Sequence, residues 1–134
     1  MENSNTVAVI NTNPDVVRRL RIALESAGFI AFVIHIEQIK EAIANLESFL
    51  DQHDPKVIVY DVAPPYDLNW RTLEHIRSSP SFEGRRFVLT TLNRAALERI
   101  TGTDEMVYEI VGEREDIDEV VRAVKEASRA RETR

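Results

Sequence analysis

The chain has 134 residues, 43% of them apolar, no cysteine, and a formal net charge of −6. That length suits one domain with one core, and the lack of cysteine excludes disulfides, thiol catalysis and cysteine-held metals. The acidic balance opposes phosphate backbones and so direct nucleic-acid binding, and no apolar run reaches the ~18 residues of a membrane span.

Short apolar runs alternate with amphipathic stretches along the chain. Thr6 to Ile10 (TVAVI) is β-branched and apolar without interruption, as in a strand covered on both faces. Asn13-Pro14 opens a helix, Asn as cap and Pro in the first turn. Val16, Leu20, Ala23, Leu24 and Ala27 give its inner stripe, and Gly28 stops it. Phe29 to Ile34 predicts a second strand, and Ile39, Ile43, Leu46 and Leu50 a second helix. Val57 to Tyr60 predicts the third strand, ending at Asp61. A loop with Ala63-Pro64-Pro65 follows, then a helix through Leu68, Leu73 and Ile76, broken at Ser79-Pro80. Arg86 to Thr90 reads as a fourth strand, Ala95 to Ile100 as a short helix closed near Gly102, and Met106 to Val111 as a weaker fifth strand. Asp116 with Glu119 resembles a capping box for a last helix through Ile117, Val120, Val121 and Val124.

Five strand–helix units with short connections predict a parallel sheet with right-handed helical crossovers, a doubly wound α/β fold. One domain is expected from residue 6 to residue 128. Residues 1–5 are expected to be a disordered N-terminus without secretory character, and residues 129–134 a charged, fraying tail. A cytoplasmic protein is expected.

In this architecture the loops beyond the strand ends converge on one crevice. Asp61 follows VIVY directly, which puts a carboxylate at the mouth of the sheet, and Thr90 ends the next strand. Two readings stand side by side. Either the hydroxyl meets a group bound at Asp61, or both residues only satisfy local backbone amides.

Over about Thr6 to Ala127 the chain resembles the receiver domain of two-component response regulators. VIVYDVAPP looks like the family's phosphoacceptor region, with Asp61 at the acceptor position and Pro65 four residues on. FVLTT matches its fourth strand, placing Thr90 at the switch-hydroxyl position and Thr91 at the small-residue neighbour. VAVINTNPDVVRRL is similar to its first strand and helix. The resemblance implies a flavodoxin-like (βα)5 sheet of strand order 2-1-3-4-5.

Two departures bear on mechanism. The family's adjacent acids after the first strand, which help hold Mg²⁺, are Asn11 and Thr12 here. The family's lysine after the fifth strand falls on Glu113 when alignment runs ungapped from the last helix, or on Gly112 with a one-residue gap; Arg114 takes the following proline's position. Mg²⁺ favours charged oxygen ligands in octahedral order, and Asp15 is better placed to serve its helix N-terminus than a metal. Phosphoryl transfer relies on neutralising charge around the phosphoryl group. Each such group is worth on the order of 3 kcal/mol, so several losses predict phosphorylation slowed by orders of magnitude. The expectation is a non-enzymatic pseudo-receiver that signals by protein contact, with Mg²⁺ binding weakened and no other cofactor. A working phosphorelay receiver accepting phosphate on Asp61 from a histidine kinase is the first alternative. A flavodoxin-like small-molecule binder is the second. The partner implied is a kinase or output protein, with a homodimer also expected through the helix 4, strand 5 and helix 5 face, Ala95 to Ile100 and Ile117 to Val124.

Other signals are weaker. Asp51-Gln52-His53 brushes a cobalamin pattern but has Lys56 where that pattern needs glycine. Asn11-Thr12-Asn13-Pro14 lacks the glycine and donors of a phosphate loop, and the four glycines are isolated, against a dinucleotide site. His35, His53 and His75 are scattered as surface or partly packed residues. Arg18-Arg19-Arg21 and the basic groups from Arg122 to Arg134 read as solvated helix faces. Trp70 is either a partner-facing anchor or a seal of its loop onto the core.

Overall fold

The computed structural model describes residues 6–11, 14–35, 43–102, 107–112 and 117–132. Among the described residues five strands and five helices alternate: β1 Thr6–Asn11, α1 Pro14–Ser26, β2 Ile30–His35, α2 Ile43–His53, β3 Val57–Asp61, α3 Tyr66–Ile76, β4 Arg86–Thr91, α4 Arg94–Thr101, β5 Val107–Gly112 and α5 Ile117–Glu132. The sheet is parallel throughout, in the order β2-β1-β3-β4-β5. The alternation predicted the doubly wound parallel sheet, and this flavodoxin-like strand order is the one the receiver resemblance implied.

The uninterrupted apolar strands are explained by cover on both faces. Every residue of β3 is buried, and successive side chains enter different cores. Val7, Val9, Val57, Val59, Val88 and Val111 pack with Leu20 and Leu24 of α1 and Val120, Ala123, Val124 and Ala127 of α5. Ala8, Ile10, Ile58, Tyr60, Phe87 and Leu89 pack with Leu50 of α2, Trp70, Leu73 and Ile76 of α3, and Leu97 of α4. Two thin cores thus clamp the sheet, so neither helix layer can leave without exposing a valine- or leucine-lined face.

The end of the sheet away from the strand tips is pinned by a buried arginine. Arg85 donates to the carbonyls of Ser81 (2.8 Å), Pro55 (2.8 Å) and Leu50 (3.2 Å), and to Asp54 Oδ1 at 2.8 Å. One guanidinium thereby ties the end of α2, the turn into β3 and the 3-10 turn Pro80–Phe82 to the start of β4. Asp54 takes a positive φ of 49° to present its carboxylate. Asp54 is also bonded by Lys56 at 3.3 Å, and these partners hold its carboxyl below its ordinary pKa, with Arg85 the larger cause.

Some details differ from the sequence reading. The third helix buries Trp70, Leu73 and Ile76, whereas Leu68 is 55% exposed. Trp70 is a core residue, its ring beneath the Arg77 guanidinium at 4.9 Å. The last helix continues past Ser128 to Glu132. Gly28 closes α1 as expected, at φ 98° with its amide bonded to Glu25. The expectations at Thr12, Asn13, Ile39, Met106, Glu113, Arg114 and Asp116 lie outside the described residues, as do the side chains of Asn11, His35, Ile43 and Leu46.

Candidate functional site at the strand tips

The crevice is built from the ends of β1, β3, β4 and β5. On β3, Asp61 comes two residues after Val59, and on β4 Thr90 comes two after Val88, so alternation puts both on the α1/α5 side. The register pairs them directly, Asp61 opposite Thr90. Both are buried, at 3% and 2% exposure, and the Thr90 hydroxyl donates to Asp61 Oδ1 at 2.7 Å. A backbone bond from the Val62 amide to the Thr90 carbonyl, 2.9 Å long, carries the ladder one residue further. The two side chains singled out from sequence are therefore brought together and hydrogen-bonded to each other.

The charge of Asp61 is felt by its chain neighbour. Burial, and then the Asp61 carboxylate, push the Tyr60 phenol up to about 12. Pro65 follows a cis Pro64–Pro65 bond and stands exposed before α3. Its carbonyl accepts the Asn69 amide at 3.1 Å, while Asn69 Nδ2 donates to the Ala63 carbonyl at 2.6 Å, which fixes the loop leaving Asp61.

On the other strands, β1 ends at Asn11. Asp15 sits in the first turn of α1, exposed, its Oδ1 accepting from Arg18 at 2.9 Å. β5 ends with Val111 opposite Thr90 and Gly112 opposite Thr91. A Cβ built at Gly112 would lie 3.2 Å from the Arg94 Cβ, so β5 passes close under the start of α4. That close approach is a packing reason for glycine, which the isolated glycine at a strand end signals in the sequence.

Mg²⁺ takes hard oxygen ligands in octahedral order, usually with more than one carboxylate and several waters. Among the described residues no group of three His, Cys, Asp or Glu converges on a metal position. At the mouth the described carboxylate is that of Asp61, one oxygen of which already accepts a hydroxyl. Among the described residues these donors alone do not complete a magnesium site. Of the histidines with described side chains, His53 packs at a tilt among Phe32 and Phe49, with ring centroids 4.0 and 4.7 Å away, and His75 lies exposed on α3. No helix among the described residues is long and apolar enough to cross a membrane.

No protein-family model and no curated protein matches this chain. Solved structures do. The chain is similar to a sensor protein from Polaromonas, with a TM-score of 0.70 at 16% identity over 94% of this chain and 97% of that one. It is similar to a response regulator receiver protein from Sinorhizobium medicae, with a TM-score of 0.66 at 16% identity over 94% and 95% of the two chains. It also matches a CheY-like response regulator receiver domain from Methylobacillus flagellatus, with a TM-score of 0.64 at 12% identity over 92% and 98%. The chain has the fold of response-regulator receiver domains, with Asp61 and Thr90 at the tips of its third and fourth strands.

Proposed function

We propose that this protein is a receiver-like signalling module that acts through protein contacts, in the cytoplasm, with a phosphorylation site that has lost its chemistry. The observation that carries this reading is the Asp61–Thr90 pair. The acceptor-position carboxylate is buried with its Oδ1 on the Thr90 hydroxyl, while β1 ends in a neutral Asn11 where receivers place acids.

The chemical argument is electrostatic. A phosphoryl group arriving at Asp61 brings negative charge to a carboxylate, so the transition state needs a divalent cation and a positive side chain. Asn11 and Thr12 replace two formal charges that would hold the cation, and Glu113 or Gly112 replaces the cation on the other side. With each charge-stabilising group worth on the order of 3 kcal/mol, the combined loss silences the site on signalling timescales.

Output then passes by surface contact. The face of α4, β5 and α5 carries an ordered charge network suited to a protein partner: Arg122 joins Glu109 (2.6 Å), Glu119 (2.8 Å) and Glu126 (3.1 Å), and Arg94 joins Glu98 at 2.8 Å. The test is incubation with Mg²⁺ and a small phosphodonor such as acetyl phosphate, read by intact mass. Little or no phosphoryl adduct is expected; rapid, stoichiometric labelling of Asp61 would instead make the protein a working phosphorelay receiver.

A further inference from the structure

We draw no further inference here: the strongest candidate, the groove between α1 and α5, mixes Asp118 and Glu126 with Arg122, Lys125 and Arg129, shares Arg122 with the charge network on β5, and nothing in the structure shows what covers it.

Discussion

Asp61 and Thr90 face each other across adjacent parallel strands, and a 2.7 Å hydroxyl–carboxylate bond joins them at the mouth of the sheet. A buried carboxylate so placed depends on that hydroxyl. Thr90→Val keeps the shape and deletes the donor, and should cost about 1–3 kcal/mol in urea unfolding, while Thr90→Ser should cost much less. Equal losses in the two variants would mean that the methyl group, not the hydroxyl, matters.

Tyr60 provides a second probe of the same region. Its phenol ionises at about 12 in the folded chain against an ordinary 10.0. The unfolded chain therefore releases this proton first as pH rises, so the stability tied to it is complete below pH 10 and is lost between about 10 and 12. The loss should be on the order of 2 kcal/mol, and Tyr60→Phe should remove that part of the alkaline slope. A slope unchanged in the variant would assign it to other groups.

At the far end of the sheet, Arg85 satisfies three carbonyls and Asp54. Arg85→Met should destabilise the fold by about 3 kcal/mol, because buried acceptors and a carboxylate lose their shared donor. The Asp54 carboxyl is held below its ordinary 3.8, so its contribution is present above that pH and fades as pH falls through the lower folded value. Asp54→Asn should flatten the acid limb of a stability–pH curve, and an unchanged acid limb would contradict this assignment.

The α3 phase can be checked by paired truncations. Leu73→Ala should cost about 2–5 kcal/mol, whereas Leu68→Ala should fall within about 0.5 kcal/mol of the parent. Trp70 is the single tryptophan and lies in the core, so its emission reports both unfolding curves directly.

The parts of this molecule that were legible in the sequence follow from periodicity. Continuous β-branched runs such as TVAVI and VIVY can be satisfied only by strands covered on both faces, and the short links between them force helical crossovers. Periodicity placed Asp61 and Thr90 at the ends of such runs but left open whether their side chains meet. Leu68 was misleading because leucine marks a helix without marking its phase, and Trp70, two residues later, takes the inward position. Arg85 gave no signal at all: an arginine reads as surface unless its acceptors are known, and all of those but the Ser81 carbonyl come from segments thirty or more residues away.

If missing charge is what silences the acceptor, restoring it should revive the chemistry. Asn11→Asp with Thr12→Asp and Glu113→Lys should raise Mg²⁺-dependent labelling of Asp61 by several orders of magnitude over the parent, measured by intact mass with time. No gain in the triple variant, with the fold intact by circular dichroism, would place the defect elsewhere.

The most direct measurement is the phosphorylation time course of the unmodified chain with acetyl phosphate and Mg²⁺, with Asp61→Asn as the blank. The account predicts that the two proteins are indistinguishable over the time in which an active receiver is fully labelled. Fast labelling of the parent that vanishes in Asp61→Asn would contradict it.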